Sequence, residues 1–209
     1  MTAAPGRTTI LEAVNIMLGV IGEQPVSTLA PPSQQITEAV IAQTVLMERH
    51  KEGQGRGWSW NTEKDYPFAK DLTTGEVPIP PNVARAVIKR GLLGHLVVRG
   101  SRIYDTKRFT YQINEVNVPA EVTWYLAWDD CPEIYNRWAL CSAARVFAAR
   151  VLTDQEVVGL AGLDETTALS ELQRNETLVS QPNVLHGMGW PYPTFNPSEL
   201  GTQRRVRWR

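Results

Sequence analysis

The chain has 209 residues, 43% hydrophobic and 21% charged, enough to build an ordinary core without disulfide or metal staples. A formal net charge of -1 gives the whole chain no electrostatic reason to bind nucleic acid or a membrane. Two cysteines, Cys131 and Cys141, form no disulfide framework and fit a reducing compartment. No apolar run reaches the roughly 18 residues of a spanning helix, and Met1–Pro5 lacks a signal peptide's basic start and apolar run. The expectation is a soluble, cytosolic chain.

The first element is a helix. Thr9 and Glu12 have capping-box spacing, and Ile10, Leu11, Val14, Leu18 and Ile21 recur on one face until Gly22 and Pro25 stop it. Pro31 and Pro32 extend the linker, and Ser33 opens a second helix whose buried face is expected at Ile36, Val40, Ile41, Thr44, Val45 and Met47. Glu48–Glu52 reads as its solvated end, and the run GQGRG (53–57) as its stop.

After Gly57 the period changes from helical to alternating. Trp58 and Trp60 alternate with Ser59 and Asn61 as in a strand. Further short strands are expected at Leu96–Arg99, Arg102–Asp105, Ile113–Val118 and Glu121–Trp128, with a hairpin turn at Gly100–Ser101. Pro81–Arg90 reads as a short helix between strands. Helical periodicity returns at Asp130 with Pro132 near the first turn, and Ile134, Trp138, Cys141, Ala148 and Leu152 form its face. Thr153 and Glu156 repeat the capping-box spacing and open a last helix through Val158, Ala161, Ala168, Leu172 and Val179, in which Gly159 and Gly162 mark a bend or a close contact.

The fold class is therefore α+β. Residues 1–56 and 129–181 form a four-helix body, 57–128 an inserted antiparallel β layer, and 182–209 an extended arm. The arm holds four arginines against one glutamate, whereas the preceding residues hold 17 basic and 21 acidic groups. An acidic body with a basic tip points to docking of the tip on an acidic surface.

The chemistry-bearing residues do not cluster. His50, His95 and His186 lie far apart, and no Cys-x-x-Cys exists, so neither a metal site nor a cofactor is expected. No nucleophile elbow is present. GQGRG follows a helix and precedes a strand, the reverse of a phosphate cradle. Asp129–Asp130 and Asp164–Glu165 are adjacent pairs whose members point apart, so neither makes a catalytic dyad alone. Asp129–Asp130 fits helix capping better. The chain is not expected to be an enzyme, and no catalytic residue is assigned.

Surplus aromatics point instead to packing and contact; the chain has seven tryptophans. Trp58, Trp60 and Trp138 are assigned structural roles, with Trp58 and Trp60 either bracing the β layer on the helices or acting as ordinary core aromatics. In the arm, Trp190, Tyr192 and Phe195 alternate with prolines, and Arg204, Arg205, Arg207, Trp208 and Arg209 close the chain. That pattern allows nucleic-acid binding, a frayed tail, or an arm ordered by a partner's groove; the last is the assigned reading.

Three segments together resemble tail tubular protein A, the head-to-tail adaptor of short-tailed podophages of the autographivirus type. AVNIMLGVIGEQPVSTL (Ala13–Leu29) is similar to the family's opening helix and turn. GRGWSWNTE (Gly55–Glu63) is similar to its Arg-Gly-Trp strand, and CPEIYNRWALCSAARVFAARVL (Cys131–Leu152) to its third helix, with the fourth following. The resemblance spans roughly Ala13 to Asn175; Lys64–Val118 is looser, and the arm after Asn183 is longer and richer in proline than the family's. It implies a non-enzymatic virion protein, made in the bacterial cytoplasm, that forms a twelve-membered ring. The implied partners are other copies of the chain, the portal above, the nozzle (tail tubular protein B) below and nearby tail fibres. DNA would pass through the lumen unbound. The alternative is a carbohydrate-active hydrolase acting on host surface polysaccharide, for which two carboxylates about 5–10 Å apart in a cleft would be needed.

Overall fold

A computed structural model of the chain describes residues 6–29, 36–88, 94–152 and 154–180. Helix α1 (Ile10–Val20) starts as its sequence dictates. The Thr9 hydroxyl accepts from the Glu12 amide at 3.2 Å, and the Glu12 carboxylate accepts from the Thr9 amide at 2.8 Å. It ends in a left-handed Gly22 (φ 78°), with the Glu23 amide bonded back to the Leu18 carbonyl and the Gly22 amide to Gly19, a Schellman motif. Ala13, Val14, Met17 and Leu18 are fully buried.

Helix α2 (Thr37–Gln54) has no side-chain cap at Ile36, and the predicted opener Ser33 lies outside the described residues. Its buried stripe is Ala39, Ala42, Val45, Leu46, His50, Gly53 and Gln54; of the expected face, Val45 belongs to it and Ile41 and Met47 pack partly buried against the core. Ile36 and Thr44 are exposed, while His50, expected in a solvated end, is buried. The pattern of bulky side chains does not show that small ones join the stripe at Ala39, Ala42 and Gly53, the last lying against the Trp138 ring. GQGRG stops the helix later than expected, because Gly53 and Gln54 are still helical.

Helix α3 (Glu133–Val151) is the axis of the body, in contact with α1, α2 and helix α4 (Gln155–Ser180). Tyr135, Trp138, Ala139, Ala143 and Phe147 are buried along it, and the predicted Ile134 and Cys141 are only partly so. Asp129 and Asp130 form a 3-10 turn but do not cap α3, whose N-cap Pro132 has no side-chain bond. The first-turn acid is Glu133, which accepts from the amide and hydroxyl of Thr8 and so ties the lead-in of α1 to the start of α3. Thr153 lies outside the described residues; Asp154 accepts from the Glu156 amide at 2.8 Å. Along α4, Ala161, Ala168 and Leu172 are buried as expected, but Val179 is exposed.

The inserted layer is a three-stranded antiparallel sheet in the order β1–β5–β2, with a separate β3–β4 hairpin. Strands β3 (Leu96–Arg99) and β4 (Arg102–Asp105) have the expected bounds and Gly100 (φ 63°) turns the hairpin, whereas strand β1 (Thr62–Ala69) is not among the expected strands. Three expectations fail. The predicted helix at Pro81–Arg90 is instead strand β2 (Val83–Ile88), paired with β5 (Asn117–Trp124). Its Ala and Arg residues favour a helix locally, but the free edge of β5 recruits them. The two predicted strands Ile113–Val118 and Glu121–Trp128 are one strand, β5. Pro119 made the sequence look broken there, yet it lies opposite Pro67. Neither proline can donate, so the pair fits a non-hydrogen-bonded position of the ladder. Trp58–Asn61 is a turn rather than a strand, closed by the Trp58 amide donating to the Asn61 side chain at 2.8 Å.

The result is a four-helix body with an inserted small antiparallel sheet. Each part has its own hydrophobic cluster, one around Tyr135, Trp138 and Phe147, the other around Phe68, Val77, Ile103 and Val122. The expected extended arm from residue 182 lies outside the described residues.

Two glycines give opposite predictions. A Cβ on Gly53 would sit within 2.7 Å of both the Trp138 ring and the Tyr135 hydroxyl, so Gly53→Ala should destabilise by about 1–3 kcal/mol through overpacking. A Cβ on Gly159 would meet nothing within 4 Å, so Gly159→Ala should stabilise by about 1 kcal/mol. Urea titration of the two variants checks both signs.

Candidate functional site

The helix body and the insertion meet in a buried polar neck. Gln54, the last residue of α2, clamps the returning chain: the Leu126 amide donates to its Oε1 at 2.7 Å, and its Nε2 donates to the Leu126 carbonyl at 3.1 Å. Asn61 does the same one layer out. Its Nδ2 donates to the carbonyls of Gln54 and Trp124 at 3.0 and 2.9 Å, and its own carbonyl accepts from the Trp124 amide at 2.8 Å. Two side-chain amides thus bind both chains of the insertion where they leave and re-enter the body.

Trp58 is buried beside this neck. Its indole donates to the Gly53 carbonyl at 2.9 Å, and its ring meets Tyr135 edge-on at 6.3 Å between centroids. Trp60 stacks on Tyr135 from another side at 4.9 Å, and Trp138 lies 5.6 Å from it. All three tryptophans assigned from sequence therefore surround one tyrosine, whose hydroxyl donates to the His50 carbonyl.

Behind Tyr135 lies the one described arrangement with the elements of a nucleophilic site. Cys131 Sγ is 3.4 Å from His50 Nε2, and Gln54 Nε2 is 3.2 Å from His50 Nδ1. The chemistry does not follow. Burial pushes the thiol up to about 12, with the Asp130 charge adding to it, and burial pulls the imidazole down to about 4. A nucleophilic thiol must be a thiolate, and here both partners are neutral at ordinary pH inside the core. The group is a packing and hydrogen-bonding element.

Within the two adjacent carboxylate pairs, the Glu165 carboxylate is engaged by neighbouring side chains. Burial acts to raise the Glu165 carboxyl, but hydrogen bonds from Arg145 and Ser142 and the Arg145 and Arg49 charges hold it below the ordinary range. Asp129 contributes its carbonyl to Arg7 at 2.8 Å. Among the described residues no group of three or more His, Cys, Asp or Glu could hold a metal ion, and no described helix is long and apolar enough to cross a membrane.

What the surface offers is contact area. An apolar groove of about 280 Å3 runs between α1, α3 and α4, lined by Ile16, Val20, Leu140, Cys141, Ala144 and Ala161, with Arg137 and Asp164 at its rim. Leu160, Leu163, Leu178 and Val179 stand exposed on α4. On the insertion, the turns around residues 71–75, 106–110 and 112–116 expose Leu72, Phe109 and Val116. The sequence pattern singles out Cys141, Ala161, Asp164 and Val179 among these, but not the exposed Leu72, Phe109 and Val116 of the insertion. The Asp105–Thr106 turn signal was available, but nothing in the sequence shows that Phe109 adopts a left-handed φ of 55°. The predicted contact residues Trp190, Tyr192, Phe195, Arg204, Arg205, Arg207, Trp208 and Arg209 lie outside the described residues.

The model of the tail tubular protein family matches residues 11–182, most of the chain, and the chain belongs to that family. It is a structural protein of a phage tail, and its described residues are consistent with a non-enzymatic role. No curated protein matches the sequence.

The neck makes two predictions. Gln54→Ala leaves the Leu126 amide and carbonyl unpaired and should destabilise by about 2–3 kcal/mol, whereas Ser59→Ala, at an exposed bond to Glu176, should change stability by under about 1 kcal/mol; chemical denaturation distinguishes them. For His50, the folded state holds the imidazole near 4 against an ordinary 6.5. The unfolded chain therefore binds the proton first, and stability should be level above pH 6.5 and fall as pH drops from 6.5 toward 4. His50→Gln should flatten that slope in melting curves recorded across the window.

Proposed function

We propose that the chain is the adaptor ring of a short tail, joining the head portal to the tail nozzle. The observation that carries this is the family match over residues 11–182, taken with the order of the three segments that resemble tail tubular protein A. The surfaces fit it. Apolar faces lie on different parts of the molecule, on α4 and at the turns of the insertion. Heterologous contacts between unlike patches generate closed rings when the rotation between copies closes, here at twelve copies.

In this reading the helical body and its neighbours form the ring wall, and the inserted sheet faces the nozzle and the tail fibres. The arm, through Trp190, Tyr192, Phe195 and the arginines 204, 205, 207 and 209, docks on an acidic, aromatic-lined surface of portal or of the adjacent subunit. DNA passes through the lumen without specific contacts, and the excess of acidic groups before residue 182 suits a wall that must not hold it. The protein acts by binding and symmetry and breaks no bond.

The test is the solution mass of the full chain, alone and mixed with purified portal, by light scattering with negative-stain images. Rings under either condition are expected; a chain that stays monomeric with portal present overturns the adaptor reading. Deleting residues 182–209 should leave the thermal melt unchanged and weaken portal attachment by about tenfold or more, roughly 1.4 kcal/mol. Unchanged attachment would remove the arm from the interface.

A further inference from the structure

The turn cluster at the end of the insertion is built to present Phe109. The side chain is 80% exposed, and its backbone sits at φ 55°, a conformation that bulky L residues avoid. Asp105 holds it there. Its carboxylate is buried and accepts from the amides of Lys107 and Arg108 at 2.8 and 2.9 Å, while the Asp105 and Thr110 backbones bond to each other across the turn. Arg108 is in turn tied to the Asn114 side chain at 2.6 Å, and the Lys70 amide to the Val116 carbonyl at 2.9 Å. Leu72, 84% exposed, follows an Asp71 whose carboxylate closes its own turn. Three exposed apolar side chains are thus held on turns cross-linked by hydrogen bonds. Such preorganisation lowers the entropic cost of docking.

The groove between α1, α3 and α4 has matching properties. At about 280 Å3 it falls just below the roughly 300–1,000 Å3 of small-molecule sites and suits an inserted side chain. Ile16, half exposed, lies on its lip. The rim carries one acid, Asp164, and one base, Arg137. The turn cluster carries the bases Lys107 and Arg108 beside Phe109 and the acid Glu115 beside Val116, so each sign on one surface has its opposite on the other. Phe109 is exposed, so the molecule does not fill its own groove with it.

We propose that the Phe109 turn cluster of one copy seats in the α1/α3/α4 groove of the neighbouring copy, with Lys107 and Arg108 facing Asp164. The contact is between unlike surfaces and repeats from copy to copy, which is what a ring requires. The proposal rests on the ring reading and adds the residues that join one subunit to the next.

Cys141 lines the groove, and it supplies the test. Full-length Phe109→Cys protein, alone and with portal, is treated with diamide as oxidant and run under non-reducing conditions. A ladder of covalent dimers and higher multiples is expected, absent from the Phe109→Cys, Cys141→Ser double variant. In parallel, Phe109→Gly removes the docking ring and also relieves the left-handed backbone. It should raise the concentration needed for assembly about tenfold or more while the melting temperature holds or rises, an outcome a merely structural role would not give. Rings in the images with no 109–141 cross-link, or Phe109→Gly assembling like the parent, overturn the contact and leave the ring reading standing. A chain monomeric alone and with portal overturns both.

Discussion

The fold depends on one side chain amide. Gln54 ends α2, and through its two bonds to Leu126 it fixes where the chain returns after the inserted sheet. Without that clamp, the returning chain would be held to the helices through the Asn61 bonds and the β1–β5 pairing. Asn61 repeats the device across to Trp124, so the neck is held twice by groups that cannot slide. The bonds are buried, and breaking one leaves an unpaired polar group rather than a hydrated one. That asymmetry gives the neck its rigidity.

The helical body is organised around the same point. Tyr135 on α3 is ringed by Trp58, Trp60 and Trp138, and its hydroxyl caps the carbonyl of His50. Gly53 lets the Trp138 ring lie directly on the α2 backbone. His50 and Cys131 then occupy the space beyond as neutral groups, and burial is the first cause of both their shifts. The same desolvation that disables them as a catalytic pair makes them compatible with the core. A cluster that looks reactive by composition is inert by environment.

The parts legible in the sequence were those with local causes. The α1 cap and its Gly22 stop, the β3–β4 hairpin at Gly100 and the order of the four helices around an inserted β layer all follow from neighbouring residues. What was missed had distant causes. Strand β2 was hidden because Val83–Ile88 pairs with residues some forty positions away. β5 looked broken at Pro119 because the matching proline, Pro67, sits on another strand. The buried face of α2 was only partly legible because alanine and glycine packing depends on the ring that approaches, here Trp138. Trp58, Trp60 and Trp138, assigned structural roles, lie around Tyr135 in the core and neck, while the exposed Phe109 gives no periodic signal at all.

A ring places a demand on its subunit that a monomer does not face. Each copy must present two unlike surfaces at a fixed relative angle, and a small angular error accumulated around the circle prevents closure. A flexible hinge between the surfaces would spread that angle over many values. The groove belongs to the helices and the Phe109 cluster to the insertion, so in this chain the angle between them is set by the neck. The buried Gln54 and Asn61 bonds, which tie the insertion to the helical body, are well suited to that purpose. In the proposed ring, the polar groups at the centre of the molecule would belong to the contact machinery, acting through the orientation of surfaces they do not touch.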